Sequence, residues 1–236
     1  MTTFWDSLSQ AAALIATWDA DLVEIVTLSL QVTLSSVFFA CLIGLPIGAA
    51  AGALEFPGRR VLALGMNALM GLPPVVVGLL VYLALSASGP FGVLGLLYTP
   101  TAMVIAQTIL VTPIVAALTR QVVADLNADY SEQFQSLGVP PLMRIQAILW
   151  DARVALMTVA LAGFGRAVAE VGAVMIVGGN INHMTRVMTT AIALETSKGN
   201  LQLALALGLV LLGLAFAVNA AVMALRTSVK WEQAHA

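Results

Sequence analysis

Fifty-nine consecutive residues between Arg60 and Arg120 contain no Asp, Glu, Lys or Arg, and thirty more, Ile25 to Leu54, are equally uncharged. A run of about 20 apolar residues is enough to cross a bilayer, so the shorter stretch holds one crossing and the longer one holds two, with GPFGVLGLLYTP as the turn between them. A water-soluble domain has no place to hide such lengths. Composition agrees, with 60% hydrophobic and 9% charged residues. The chain is expected to be an all-α membrane protein.

Five crossings follow: Ile25 to Leu54, Val61 to Ser86, Thr101 to Leu118, Val154 to Val177 and Leu201 to Leu225. Residues 1–21 form an amphipathic segment whose Phe4, Leu8, Ala11, Ile15 and Trp18 share a helical face; an interfacial helix anchored by Trp5 and Trp18 and a frayed terminus both fit. Residues 22–226 form the transmembrane domain, and residues 227–236 a polar tail. Within the first crossing, GLPIGAAAG (Gly44 to Gly52) supplies small residues that let helices approach closely. Helix breaks are expected at Pro73, Pro74 and Pro113; at membrane depth these are either simple kinks or sites lining a pathway. The single cysteine, Cys41, sits in an apolar run and cannot form an intramolecular disulfide.

An odd number of crossings puts the two ends on opposite sides. With the amino end outside and the carboxyl end inside, Arg59, Arg60, Arg120, Arg144, Arg153, Arg226 and Lys230 are internal, against only Arg186 and Lys198 outside, as the positive-inside rule demands. The long polar interlude Asp125 to Arg153 is then cytoplasmic. There Asn127 is expected to cap a helix and Gly138 to end it, with Pro140 and Pro141 beyond. Tyr130, Phe134 and Leu137 recur at helical spacing, forming an apolar ridge. It either tucks under the chain's own helices or docks another subunit.

No nucleotide-binding G-x-x-x-x-G-K-[ST] loop, zinc-spaced His and Cys set or serine nucleophile motif occurs, and His183 and His235 stand far apart. Uphill transport by such a chain would draw its energy from a partner or an ion gradient. The costly residues are Arg166 and Glu170, four apart in the fourth crossing, where each charge costs about 3 kcal/mol or more. They form either an ion pair holding the bundle together or a charged constriction on an anion path. Gly163, Gly165 and Gly172 flank them and permit close helix contact, a dimer axis being one place for it.

The interlude resembles the cytoplasmic signature loop of ABC importer permeases, Glu-Ala-Ala, three residues, then Gly. Glu132, Gly138, the Leu137-Gly138 pair and Ile148 hold their places, while Gln133 and Phe134 replace the alanines and Trp150 and Asp151 replace a terminal Leu-Pro. GFGRAVAEVGAVMIVGGNI from Gly163, TRVMTTAIALETSKGN from Thr185 and MNALMGLPPVVVGLLVYLALSASGPFGVLGLLYTPTAM from Met66 are similar to the oxyanion branch, molybdate and tungstate permeases, and most to the tungstate type. The resemblance implies a type I importer fold with about five transmembrane helices per subunit in a prokaryotic inner membrane. It implies a homodimer, two cytoplasmic ATP-binding subunits holding the ATP and magnesium, an extracytoplasmic solute-binding protein, and no cofactor on this chain. Tyr130, Glu132, Gln133, Phe134, Leu137 and Gly138 would couple to the ATPase. Arg166 and Glu170 would line the pathway for a transient tungstate or molybdate anion, and Asn180, Arg186, Thr189 and Thr190 would belong to an outer gate or docking loop. An ion-driven transporter or channel is the reading from another class.

Overall fold

The computed structural model describes the backbone of residues 4–235 and the side chains of residues 8–224. The side chains of Phe4, Trp5, Arg226, Lys230 and His235, invoked above, lie outside the described residues. All regular elements among the described residues are helical: α1 (Phe4–Ala16), α2 (Ala20–Ala53), α3 (Arg59–Met70), α4 (Pro74–Leu85), α5 (Pro100–Asp129), α6 (Ser131–Ser136), α7 (Pro141–Asp151), α8 (Arg153–Val168), α9 (Gly172–Gly178), α10 (Met188–Lys198) and α11 (Leu201–His235), with a 3-10 turn at Gly92–Leu94. Three helices, α2, α5 and α11, are long and apolar enough to cross a membrane, and the count rises to five if the bent pairs α3 with α4 and α7 with α8 each count as one span.

The chain gathers into two compact units interleaved along its length. One takes the stretch up to Ser36, Pro73–Gln107 and Gly165–Asn219; the other takes Val37–Leu72, Thr108–Phe164 and the stretch from Ala220.

In the first unit, α2 begins where Asp19 Oδ1 accepts the backbone N–H of Asp21 (3.1 Å) and Leu22 (3.3 Å), an N-cap that places the helix start five residues before the uncharged run. The preceding Trp18 has φ 52° and is largely exposed. Pro73 is extended and Pro74 opens α4, so the expected interruption is present, and α3 ends at Met70 before it. Helix α4 packs on α9 so tightly that a Cβ on Gly78 would lie 2.7 Å from Ala173 Cα. Gly172 likewise faces Val75, and in the second unit Gly163 faces Val111 and Val115 of α5, so both glycines serve close packing within the chain, whereas a Cβ on Gly165 would meet nothing within 4 Å.

The second unit is built on a glycine seam. Gly44, Gly48 and Gly52, four residues apart on α2, face α5: a Cβ on Gly44 would lie 3.0 Å from the Thr112 carbonyl oxygen, on Gly48 2.7 Å from Thr119 Cβ, and on Gly52 2.8 Å from the Arg120 carbonyl oxygen. Only hydrogen fits there. Arg59 closes the end of α2, donating from Nε to Ala51 O (2.8 Å) and from Nη2 to Gly52 O (2.9 Å), two carbonyls the helix itself leaves unsatisfied. Beyond the seam, Ala49, Ala53, Val123 and Ile148 form a core cluster.

Three local expectations are corrected. Helix α5 runs unbroken through Pro113. The ring removes one backbone bond, but the flanking Val111 and Val115 are buried and hold the helix in place. Helix α5 also continues to Asp129, so Asn127 is inside it and caps nothing. Finally, the fourth crossing is not one helix, since α8 stops at Val168 and α9 starts at Gly172.

Candidate functional site

The charged pair forms at that stop. Arg166, in the last turn of α8, donates from Nη1 to Glu170 Oε2 at 2.6 Å; the Glu170 side chain is only 4% exposed, whereas the Arg166 side chain is 35% exposed. Glu170 has further partners. Its Oε1 accepts the Ala173 N–H (3.2 Å), satisfying a donor in the first turn of α9, and its carbonyl oxygen accepts the Thr189 hydroxyl (2.7 Å). The carboxylate is therefore fixed by the helix break itself. Arg166 is the more exposed member of the pair.

Polar groups continue from the pair through the same unit. Gln107 donates to Ala167 O (3.2 Å) and accepts from the Ser36 hydroxyl (3.0 Å), and Ser29 Oγ accepts the Met188 N–H (2.7 Å). Ser29, Thr33, Gln107, Glu170 and Thr189 line a cavity of about 10 Å³. That holds about one water molecule, so an oxyanion does not fit in this conformation. Ser29, Thr33, Ser36 and Gln107 were not singled out in the sequence, because scattered Ser, Thr and Gln inside apolar runs show no spacing signal.

The loop after α9 divides the four residues expected at the outer gate. Thr190 is fully buried; its hydroxyl lies 3.0 Å from Asn180 Oδ1 and accepts the Val187 N–H (3.2 Å), while Asn180 Nδ2 donates to Thr190 O (3.2 Å). Those two residues hold the loop to the start of α10. Thr189 instead ties α10 to Glu170. Arg186 donates to Asn182 Oδ1 (2.8 Å) and lines a wider cleft of about 170 Å³ with Asp21, Glu24, His183, Glu195 and Asn200.

In that cleft His183 Nδ1 lies 2.8 Å from Glu24 Oε2, joining residues far apart in sequence that no motif could connect. Asp21, Glu24 and His183 bring donor atoms within 4.8 Å of one another, all on exposed side chains. Glu195 accepts from Lys198 Nζ (2.9 Å) and Asn200 Nδ2 (2.9 Å), and the Lys198 hydrogen bond, aided by Asn200, holds its carboxyl below the usual range.

In the second unit, the polar interlude folds as a helical hairpin. Tyr130 precedes α6, Gly138 turns the chain at φ 61°, where a side chain would be strained, and Pro140 and Pro141 open α7. The ridge splits in two. Phe134 packs against the Ala49, Ala53, Val123 and Ile148 cluster, with the Tyr130 ring edge-on at 5.8 Å and the Arg144 guanidinium 5.4 Å from its ring centroid. Leu137 points away and is 77% exposed, beside exposed Glu132 and Gln133. Tyr130 OH donates to Asp151 Oδ2 at 2.7 Å, which ties the start of α6 to the end of α7 and pushes the phenol pKa up, since its neutral form is the donor. Part of the ridge thus tucks inward and part is exposed.

Comparison with known proteins adds three relatives and a family. Residues 44–231 match the family described as binding-protein-dependent transport system inner membrane component. The tungstate uptake system permease protein TupB of Peptoclostridium acidaminophilum is 40% identical over 216 residues, 92% of this chain and 95% of that one. TupB of Campylobacter jejuni is 41% identical over 165 residues (70% and 69%), and a probable anion ABC transporter permease protein of Haloferax volcanii is 41% identical over 204 residues (84% and 88%).

Proposed function

From the premise that the chain belongs to the binding-protein-dependent transport system inner membrane components, we propose that it is the permease of an ATP-driven tungstate importer. The observation that carries this reading is the 40% identity to a tungstate uptake permease over nearly the whole of both chains. As in any transport complex of this family, the permease works with an ATPase and a solute-binding protein. Two copies of the chain form the pathway, two ATP-binding subunits supply the energy, and the amino end lies outside.

Each part of the molecule then has a task. Leu137, Glu132 and Gln133, exposed on the α6 hairpin, meet the ATPase. Phe134 and Tyr130 hold the hairpin to α2, α5 and α7, and Gly138 shapes its turn. Arg166 attracts the dianion while the buried Glu170 limits how tightly it is held. The residues from Asn180 to Asn200 receive the solute-binding protein on the outer side, with Arg186 in the cleft between them.

The test is reconstitution of the chain with its ATPase and binding protein in liposomes, following uptake of labelled tungstate with and without ATP. ATP-dependent uptake that molybdate and sulfate compete only weakly is the expected result. Uptake by the chain alone under an ion gradient, or a preference for molybdate or sulfate, would overturn it.

A further inference from the structure

We propose that the outer face of α7 is a membrane anchor, seated in the phospholipid headgroup layer and separate from the ATPase contact on α6. Helix α7 has two faces. Ile148 is fully buried and Ile145 and Leu149 are half-buried against the core cluster, while Leu142, Met143 and Trp150 face outward, Trp150 with 74% of its surface exposed. Met143 and Trp150 are two turns apart, so they lie on one side of the helix.

The bend into α8 sets α7 along the membrane surface, where its outward side can meet lipid. Helix α7 is bent 70° from α8 and joined to it by Ala152 alone, and α8 carries the apolar stretch that enters the bilayer at Val154. A helix at that angle to a crossing helix lies close to the membrane plane, given the usual ~20° tilt of crossing helices. Trp150 precedes Val154 by four residues, so even if all of that separation lay along the membrane normal it would set the residue only about 6 Å beyond the start of the crossing. The headgroup zone is about 5–8 Å deep on each side of the hydrocarbon core, so the indole falls inside it. Arg153 completes the anchor. Its guanidinium lies 5.2 Å from the centre of the Trp150 ring and donates one Nη1–H to Trp150 O (2.9 Å), leaving its other donors for phosphate. An aromatic ring with a cation beside it, at the start of a crossing, is the chemistry of a headgroup-level anchor.

This inference rests on α8 crossing the membrane and not on the anion or the coupling roles, so a failed transport assay leaves it standing. The full chain is placed in lipid nanodiscs with Trp5→Phe, Trp18→Phe and Trp231→Phe, keeping Trp150 as the only tryptophan. The expected emission is blue-shifted from that of the urea-unfolded chain. It is quenched more by lipids brominated near the headgroup end of the acyl chain than by lipids brominated near the methyl end, and ATPase subunits leave it unchanged. Solvent-like emission quenched by aqueous iodide would overturn the proposal, as would shielding that develops only when the ATPase binds. A second measurement needs no tryptophan changes: Cys41→Ala with Met143→Cys, spin-labelled, is expected to give a headgroup-level depth from oxygen and nickel-chelate accessibility. A label at bulk-water accessibility would be equally fatal.

Discussion

Phe134 and Leu137 lie three residues apart on one helical ridge, yet the fold gives them opposite surroundings. Phe134 supports the hairpin from inside, so Phe134→Ala is expected to destabilise the chain by about 2 kcal/mol, less than the 3–5 of a fully buried phenylalanine because the ring is only half covered. Leu137→Ala should shift stability by less than about 0.5 kcal/mol, as exposed positions do, while lowering ATP hydrolysis stimulated by the loaded binding protein. Thermal unfolding beside ATPase assays separates the two. Periodicity could not, since one ridge of apolar residues looks the same whether it faces inward or outward. Glu195 carries a pH signature. Its folded value lies below the ordinary 4.5, so its contribution is present above that pH and is lost as pH falls through the folded value. Hydrogen-exchange protection of α10, taken relative to the intrinsic amide rate at each pH, should fall on acidification in the native chain, and Glu195→Gln should flatten that fall.

At the scale of elements, the glycine seam was readable because small residues four apart on an apolar helix have few other uses. Gly48→Val places a branched side chain against the Ala116 carbonyl and Thr119 Cβ of α5. Backbone cannot move aside as a flexible side chain can, so the cost is about 3 kcal/mol or more, at or above the top of the overpacking range. Loss of folded chain in detergent, read by size-exclusion chromatography, is the expected outcome; Gly208→Val, where a Cβ meets nothing within 4 Å, should be tolerated. The break at Pro73 was equally legible, from proline chemistry. The break between α8 and α9 was not, because no proline marks it: the helix ends where the Glu170 carboxylate takes the Ala173 N–H, a contact that exists only once the chain has turned.

For the whole molecule, uncharged runs marked the membrane class, and the missing nucleotide loop left a partner or an ion gradient as the energy source. The long-range contacts were invisible, His183 to Glu24 above all, since neither residue lies in a pattern the other completes. Arg166→Ala tests the pathway reading at this scale. Glu170 keeps its bonds to Ala173 N and the Thr189 hydroxyl, so the complex should still assemble while ATP-dependent uptake drops about tenfold, within the range that a charged pathway group can control. Disassembly without its subunits would instead make the pair structural.

The seam between α2 and α5 also limits how the second unit can move. With only hydrogens between the two backbones at Gly44, Gly48 and Gly52, sliding this part of α2 along α5 by a residue or two would drive the neighbouring side chains into the Thr112, Ala116 and Arg120 carbonyls. Such a seam behaves as a weld under thermal forces. Within that unit, the seamed parts of α2 and α5 are expected to move as one lever.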